Sequence, residues 1–400
     1  MSFVERFSLA IPPSPKSIFA SCLSLAALGF LPLPAMAENW ETEIFGRAQY
    51  DYTGSEGDQS GFAHDRGRIR TARLGLDLKR GGTKVRLEVA RNPSGEAELT
   101  DAYVKQALGH SGWSVRAGQF KTRNSLDEQT SGRFTSFFER AAFTDAFAFD
   151  RRAGVQLESN GKRHSVYAGL FAGNINDTAF SGTHAAAFRY VFTPVLTETE
   201  LLHLGVSLRW READDQGFRY SQRPFSRDTA PILSTPRFAR EDLFAGIEAA
   251  TIRGPAWLAA EAGVMEAGHG PAGEAVFTGG YLEAGYVLGG HRTYEHSKFD
   301  RPKVYRPVTE GGPGALVLAV RADWLDMTDS PADGGRMDTI ALAADWYATS
   351  HIHAGINLYR TEVDFGASPA GLAPDFAAYV LDGGRSEAVT GLGVRLQIDF

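Results

Sequence analysis

The sequence contains a single cysteine in 400 residues, Cys22. One thiol cannot form an intramolecular disulfide, and it cannot supply the clustered thiolates of a zinc or iron–sulfur site. The fold must therefore be stable without covalent cross-links and without a metal site that depends on cysteine.

Long apolar runs are also missing. After residue 37, no stretch approaches 18 consecutive apolar residues, which excludes a membrane-spanning helix in that part of the chain. The mean hydropathy of −0.22 resembles that of an ordinary soluble protein. A membrane β-barrel has the same average, because lipid-facing apolar residues alternate with polar residues that face the lumen.

The N-terminus has the features of a secretory signal peptide. Arg6 and Lys16 provide positive charge, residues 18–33 form an interrupted apolar stretch, and Ala35-Met36-Ala37 matches a small-x-small cleavage site. We therefore expect residues 1–37, which include Cys22, to be removed and residues 38–400 to form the exported domain. A large barrel suits a chain without cysteine, because its hydrogen-bond ladder closes on itself.

Period-two alternation is the strongest pattern in the sequence, and it is clearest in the last segment. Arg395, Gln397 and Asp399 share one face of this segment. The other face is apolar, with Leu392, Val394, Leu396 and Ile398. Such alternation predicts a strand with one polar and one apolar face. The chain ends on Phe400, which resembles the signal that the outer-membrane assembly machinery reads.

Similar segments recur along the whole chain. They predict strands near 44–53, 66–79, 83–91, 98–108, 113–120, 152–159, 163–173, 184–193, 201–212, 243–253, 255–265, 275–288, 314–325, 336–348, 352–365 and 390–400. Sixteen is an even number, as single-chain bacterial barrels require. A soluble β-sandwich also alternates, but its strands usually have about 5–6 residues. The sequence therefore predicts an all-β fold, a transmembrane antiparallel β-barrel of about sixteen strands.

Tyrosine and tryptophan residues fall near the ends of the predicted strands. Such rings are expected to form the two aromatic girdles at the membrane interfaces. The candidates are Tyr50, Tyr52, Trp113, Tyr167, Tyr190, Trp257, Tyr281 and Tyr286.

Three connections are long, at about 121–151, 213–242 and 289–313. Long loops are expected on the external side of such a barrel. The first is rich in phenylalanine and would expose many rings to water if it extended outward. We expect it to fold into the barrel and to form a constriction loop.

One predicted strand breaks the alternation. Arg66, Arg68 and Arg70 share parity with Leu74 and Leu76, which should face lipid. An arginine at mid-bilayer costs roughly 2–4 kcal/mol. Either a bulge near Thr71 changes the parity, or the arginines lie beyond the membrane.

The chain resembles the phosphate-selective porins of the O/P type. The resemblance rests on short segments in the expected order. They are Gly118-Gln119-Phe120-Lys121, Ser136-Phe137-Phe138-Glu139-Arg140, Arg151-Arg152-Ala153-Gly154-Val155-Gln156-Leu157, Gly314-Ala315-Leu316 with Arg321, Gly355-Ile356-Asn357-Leu358-Tyr359 and Arg395-Leu396-Gln397-Ile398-Asp399-Phe400.

This resemblance implies a sixteen-stranded barrel, a homotrimer, and an anion-binding constriction where an inward loop carries a lysine. Lys121 matches that lysine, and Arg133 and Arg140 in the same loop are further candidates. A ladder of lumen arginines is also implied. Its candidates are Arg209, Arg211, Arg219, Arg223, Arg227, Arg321 and Arg395. Lys298 and Lys303 in the third long connection are further candidate pore lysines.

The leading functional prediction is an outer-membrane diffusion channel that prefers anions, with phosphate, pyrophosphate or polyphosphate as possible solutes. The net charge of −7 argues against this preference, although the local field at a constriction decides selectivity. Two alternatives remain: a general, non-selective porin, and a barrel with a plugged lumen that serves as a surface adhesin or binding module.

Other chemistry has little support in the sequence. We expect no catalytic residues, because no G-x-S-x-G motif occurs, and no nucleotide fingerprint follows a strand into a helix. His351 and His353 offer only two imidazoles for a metal. We expect no cofactor and no nucleic-acid partner. The expected partners are further copies of the chain, small anions such as phosphate, outer-membrane lipid, and the assembly machinery that recognises Phe400.

Overall fold

The computed structural model describes residues 40–57, 62–91, 95–177, 183–213, 216–270 and 273–400. Within these residues the chain forms a closed barrel of sixteen antiparallel strands. The predicted fold class is therefore confirmed. The predicted signal peptide, residues 1–37, lies outside the described residues.

Twenty strands occur in the described residues, and sixteen of them form the barrel. The first eight barrel strands are β1 Glu41–Glu56, β2 His64–Arg80, β3 Thr83–Arg91, β4 Ala97–Ala107, β5 Trp113–Lys121, β6 Arg151–Asn160, β7 His164–Phe171 and β8 His184–Leu196. The other eight are β9 Glu200–Glu212, β12 Glu241–Arg253, β13 Ala256–Gly270, β14 Gly273–Leu288, β17 Ala315–Asp326, β18 Arg336–Tyr347, β19 Ile352–Asp364 and β20 Ser386–Asp399. All sixteen overlap the strands that the alternation predicts.

The remaining elements lie in the connections. Two short hairpins pair β10 Ser221–Gln222 with β11 Leu233–Ser234, and β15 Gly290–Glu295 with β16 Lys298–Val304. The helices are α1 Leu126–Gln129, α2 Ala142–Ala146 and α3 Pro374–Leu381, and a 3-10 turn covers Val308–Glu310. In the described part of the chain, no helix is both long and apolar enough to cross a membrane.

The barrel closes where β1 pairs with β20. At this seam Gln49 lies opposite Gln397, and the Gln49 Nε2 donates to Gln397 Oε1 at 2.5 Å. Next to it, Arg395 forms two hydrogen bonds of 2.7 Å with the Asp51 carboxylate. Polar pairs that are buried inside the barrel therefore hold the first and last strands together.

A bulge resolves the broken alternation in β2. Gln49 pairs with Thr71, whereas Tyr50 pairs with Ile69, so Arg70 is an extra residue in the ladder. The extra residue shifts the parity, and Arg70 therefore points inward, where its Nη1 lies 2.7 Å from Glu139 Oε1. Arg68 also points inward and pairs with Asp228 at 2.8 Å. Of the two explanations that the sequence leaves open, the structure shows the bulge near Thr71.

The positions of the connections follow from the strand order. β1 starts and β20 ends at the same end of the barrel, which we call the terminal end. Because neighbouring strands are antiparallel, connections 122–150 and 213–240 lie at the opposite end. Connection 289–314 follows the twelfth barrel strand and lies at the terminal end. The prediction that all three long connections share one side is therefore wrong. A fourth long connection, 365–385, holds α3 and lies at the opposite end.

Three of the proposed girdle aromatics are inside the barrel instead. Tyr167, Trp257 and Tyr281 are at most 3% exposed. The Trp257 Nε1 donates to Glu283 and the Tyr281 hydroxyl donates to Glu261. Position near a strand end does not show which face carries the ring, and for these residues the strand parity points inward.

Connection 122–150 folds into the barrel, as predicted. Phe149 packs on Phe244 of β12 with ring centroids 4.8 Å apart. The buried Glu261 of β13 accepts hydrogen bonds from the backbone N–H groups of Leu126 at 2.9 Å and Asp127 at 2.6 Å. The connection thus brings its own aromatic core into the lumen, and its first helix is tied to the barrel wall.

The β15–β16 hairpin enters the barrel from the terminal end. His203 of β9 is hydrogen-bonded to the Tyr294 hydroxyl at 2.6 Å. Arg189 of β8 donates to the Ser297 carbonyl at 2.8 Å. Connection 122–150 and the β15–β16 hairpin therefore enter the lumen from opposite ends.

Candidate functional site: a basic cavity along one wall of the barrel

A cavity of about 700 Å³ remains inside the barrel. Its wall residues come from β1–β6 and β20, and its other lining residues come mainly from connection 122–150. Opposite this wall, the aromatic core that includes Phe143, Phe147 and Phe244 fills the space. The cavity is therefore eccentric within the barrel.

The cavity lining is strongly basic. Seventeen arginine and lysine side chains line it, against eight aspartate and glutamate side chains. The whole chain has a net charge of −7, so the lining has the opposite sign to the protein as a whole. Charges that line a cavity with low-dielectric walls dominate its local potential. The lining therefore has an excess of positive charge.

Lys121 and Arg140 meet at one carboxylate. The Lys121 Nζ lies 2.6 Å from Glu128 Oε1 and also donates to the Glu128 carbonyl at 2.7 Å. The Arg140 Nε lies 2.9 Å from Glu128 Oε2, and its Nη2 donates to the Thr130 carbonyl at 2.8 Å. Both residues line the cavity, but their donors already hold the inward connection in shape.

Arg133 lies at the tip of the inward connection. The tip is fixed to the barrel seam, because Gln49 Nε2 donates to the Gly132 carbonyl at 3.0 Å and Gln397 Nε2 donates to the Arg133 carbonyl at 3.2 Å. The guanidinium stacks over the Phe134 ring at 4.9 Å. Burial lowers the pKa of Arg133, so an anion at this position would stabilise the charged form.

Arg133 is part of a cluster of arginines. Arg47, Arg73 and Arg151 line the same cavity, and the charges of Arg73, Arg133 and Arg151 all act on Arg47. Arg73 pairs with Glu88 at 2.8 Å and Arg151 pairs with Asp101 at 2.7 Å.

Arg47, Arg133 and Arg123 have no carboxylate within 4 Å among the residues that the structure describes. Arg123 stacks over the Tyr167 ring at 4.6 Å and lines the cavity with Arg116, Lys105 and Lys298. Arg116 and Lys105 share the Glu158 carboxylate, at 2.9 and 2.6 Å.

The sequence indicates Arg133 as a site residue but not Arg47 or Arg123. For Arg47, the signal was its inward parity in a predicted strand. Arg123 follows Lys121 by two residues in the inward connection, but no pattern in the sequence shows that it lacks a partner.

Three of the predicted ladder arginines are in buried ion pairs and do not line the cavity. Arg211 forms a bidentate pair with Asp242, and Arg209 lies 3.5 Å from the same carboxylate. Arg321 pairs with Glu283 at 2.7 Å and with Asp127 at 3.3 Å. Their inward parity is as predicted, but Arg209 and Arg211 pair across two neighbouring wall strands, and Arg321 joins the wall to Asp127 of the inward connection.

The other ladder candidates divide into two groups. Arg219 and Arg223 are exposed in connection 213–240, where the Arg223 Nε donates to the Thr229 carbonyl. Arg227 and Arg395 line the cavity. The structure therefore brings Lys121, Arg133, Arg140, Arg227 and Arg395 to one cavity. Whether any of them binds an anion stays a prediction.

The described residues contain no group of three or more histidine, cysteine, aspartate or glutamate side chains that could hold a metal ion. His351 lies at a turn and is hydrogen-bonded to Asp399 at 3.2 Å. His353 is buried against the Tyr347 ring, with the ring centroids 4.6 Å apart. The two histidines therefore have other partners.

Comparisons with known proteins agree with this architecture. An uncharacterized protein of Caulobacter vibrioides is 33% identical over 357 residues, which cover 85% of this chain and 69% of the relative. The fold is similar to that of an anion-selective porin from Comamonas acidovorans, with a TM-score of 0.58 and 13% identity over 90% of this chain and 100% of that chain.

It is equally similar to OmpT, an outer-membrane protein of Vibrio cholerae solved in a trimer form, with a TM-score of 0.58 and 10% identity over 91% of this chain and 100% of that one. The family model for the phosphate-selective porins O and P matches residues 43–373. The chain therefore belongs to the phosphate-selective porin O and P family.

Proposed function

We propose that the protein is an outer-membrane diffusion channel that prefers anions. The observation that carries the proposal is the basic lining of the cavity, seventeen cationic against eight anionic side chains. Several moderate sites in a row allow an ion to pass, whereas one deep site would trap it. The paired arginines contribute to the electrostatic potential of the cavity. The unpaired Arg47, Arg123 and Arg133 offer N–H groups that no carboxylate occupies.

Phosphate and other small oxyanions are the solutes that this lining suits. A guanidinium presents planar donors that match the oxygens of a phosphate or carboxylate. The family carries a phosphate-selective description, and the similar Comamonas protein is described as anion-selective. Both descriptions support the anion preference, and phosphate is the first solute to test.

The proposal also covers how the protein reaches the outer membrane and how many copies assemble there. Export by the signal peptide 1–37, membrane insertion through recognition of Phe400, and a homotrimer all belong to it. The outward face of the barrel supports contact with lipid, since Ile247, Leu258 and Leu282 are at least half exposed. The similar OmpT structure is in a trimer form, which supports the homotrimer.

The deciding experiment is a reversal-potential measurement in a planar lipid bilayer. Under a KCl gradient, the zero-current potential should have the sign expected when chloride is more permeable than potassium. Added phosphate should reduce the chloride current if it competes for the same donors. A reversal potential near zero would indicate a general porin. The protein could also show no conductance although it migrates as a folded, heat-modifiable barrel. That result would favour a binding module with a plugged lumen.

A further inference from the structure

The β15–β16 hairpin turns at His296 and Ser297, and both residues have a left-handed backbone. Their φ angles are 49° and 63°. Two-residue hairpin turns that need a positive φ at both positions favour Asn-Gly, because a Cβ disfavours this conformation. Neither asparagine nor glycine occurs at the two positions here. The turn geometry alone therefore does not explain which side chains stand at the tip.

The barrel wall holds the backbone of this tip. Arg189 of β8 donates to the Ser297 carbonyl at 2.8 Å, and the Ser297 Oγ lies 3.1 Å from the hydroxyl of Tyr167 on β7. Arg189 is itself fixed by Glu248, with its Nε 2.6 Å from the Glu248 Oε1. Ser297 is therefore the buried half of the turn, and its contacts with the wall stabilise the left-handed backbone.

His296 is the other half of the turn, and it lines the basic cavity. Its side chain is 56% exposed, although the hairpin that carries it lies inside the barrel. Among the lining residues in the described part of the chain, it is the only histidine. Because the wall fixes the neighbouring Ser297, the imidazole is held at a defined place in the cavity.

Charged groups from three elements surround this imidazole. The Glu295 Oε1 of the same hairpin lies 3.3 Å from the His296 Nδ1. The positive charges of Lys298 in the hairpin, Lys105 on β4 and Arg123 in the inward connection also act on His296. Three cations therefore face the ring against one adjacent carboxylate.

These three cations differ in how far their donors are occupied. The Lys105 Nζ lies 2.6 Å from the Glu158 Oε1, and the Lys298 Nζ lies 3.9 Å from the Asp300 Oδ2. The Nε and Nη1 of Arg123 are buried and have no hydrogen-bond partner among the described residues. Arg123 thus offers N–H groups to an anion next to His296.

Imidazole is the side chain whose ordinary titration falls between about pH 5 and pH 8. The neutral ring of His296 has one N–H donor, whereas the imidazolium has two donors and a positive charge. An oxyanion beside the ring therefore binds the protonated form more strongly, and it favours protonation in turn. A histidine at this place makes the local charge of the cavity depend on pH.

We propose that His296 is a proton-dependent contact for oxyanions in the channel. Its imidazolium and the Arg123 guanidinium bind the anion together at the tip of the hairpin. As pH falls through the histidine pKa, the ring gains its charge, and the channel holds multivalent oxyanions more strongly. The proposal rests on the proposed anion channel and adds a residue that sets how strongly such anions compete with chloride.

Block of the chloride current by sulfate tests this contact in a planar bilayer at pH 8 and pH 5. Sulfate keeps its double charge over this range, whereas phosphate gains a proton. In the wild-type protein, the sulfate concentration that gives half block should fall several-fold from pH 8 to pH 5. His296→Asn removes the titrating group, and asparagine tolerates the left-handed backbone. Its half-block concentration should change far less between the two pH values.

His110→Asn is the matched control. His110 is exposed in the turn between β4 and β5 and does not line the cavity, so this variant should keep the pH dependence of the wild-type protein. If His296→Asn loses the heat-modifiable migration of a folded barrel, His296→Gly replaces it, because glycine adopts the same backbone without strain.

The His296 contact is overturned if the variant at position 296 keeps the pH dependence of the wild-type block. The wild-type reversal potential at pH 8 is measured in the same membranes. A value near zero would mean that the proposed anion preference fails. An anion-selective reversal potential, together with a sulfate block that does not depend on pH, would overturn the His296 contact and leave the anion preference standing.

Discussion

Arg292 and Ser136 join the two segments that enter the lumen from opposite ends. The Arg292 Nη1 donates to Ser136 Oγ at 3.1 Å, and its Nη2 donates to the Phe134 carbonyl at 3.2 Å. Arg292 is on β15, which enters from the terminal end, and Ser136 is in connection 122–150, which enters from the opposite end. The guanidinium also stacks over Trp257 and Phe299, at 4.8 and 4.3 Å. One side chain thus fixes both segments against the wall.

Arg292→Ala should loosen this junction. Buried hydrogen bonds from a charged donor contribute about 1.5–3 kcal/mol each, and the two stacking contacts are lost as well. We expect a lower temperature of unfolding and larger, noisier single-channel currents, because both segments gain freedom at the centre of the lumen. Thermal unfolding in detergent and single-channel recording measure the two effects.

The matched control for this variant is Arg253→Ala. Arg253 is exposed at the end of β12, away from the junction, and its replacement should leave conductance and stability nearly unchanged. If Arg292→Ala behaves like Arg253→Ala, the contact between the two segments does not set the open area.

The strand pattern could be predicted from the sequence because it depends on local alternation. In β20, Arg395 and Gln397 face inward and Leu396 and Ile398 face outward, as the period of two requires. The extra residue at Arg70 could also be inferred, since arginine facing lipid would be costly. These features need no knowledge of distant residues.

The site could be predicted only in part. Whether a lumen arginine is free depends on which carboxylate the folded chain places beside it. Arg321 meets Asp127 from a connection 194 residues away, and no local pattern encodes that meeting. The end of the barrel at which connection 289–314 lies follows from counting strands. The rule that long loops lie on the external side predicts the wrong end for it. Its inward hairpin has no alternation signal that distinguishes it from a surface loop.

Lower pH should strengthen the anion preference. Desolvation by the surrounding protein inside the barrel raises the pKa of Asp145 and of Asp150 above the ordinary value for aspartate, and both residues line the cavity. As pH falls through these raised pKa values, the two negative charges are lost while the arginines keep theirs. The reversal potential should move further towards the chloride equilibrium potential between pH 7 and pH 4.

The double variant Asp145→Asn with Asp150→Asn tests the assignment of this pH effect. It should show the stronger preference already at pH 7 and a weaker pH dependence below it. An unchanged pH profile in the double variant would assign the titration to other carboxylates in the lumen.

Processing at the N-terminus should follow Ala37. Mass spectrometry of protein purified from outer membranes should find a chain that begins at Glu38, without Cys22. Ala37→Leu should block cleavage, because signal peptidase requires small residues at this site, whereas Leu33→Ile should leave it intact. A full-length chain in the membrane fraction would contradict the predicted signal peptide.

The roles of Lys121 and Arg133 can be separated by measuring two properties of the same variants. Lys121→Gln and Arg133→Gln each remove one positive charge from the cavity. Both should therefore shift the reversal potential away from the chloride equilibrium potential. Binding of phosphate needs free donors in addition to charge. The Lys121 ammonium already contacts Glu128 twice, whereas the Arg133 guanidinium has no carboxylate partner within the described residues.

We therefore expect only Arg133→Gln to weaken the block of chloride current by phosphate, by about tenfold, the equivalent of about 1.4 kcal/mol. Lys121→Gln should weaken the block less than threefold. Lys79→Gln is the control, because Lys79 pairs with Glu43 on the exposed terminal end, and it should change neither property. If Lys121→Gln weakens the block more than Arg133→Gln does, the anion displaces Glu128 from Lys121, and the lysine that the family resemblance indicates is the constriction ligand.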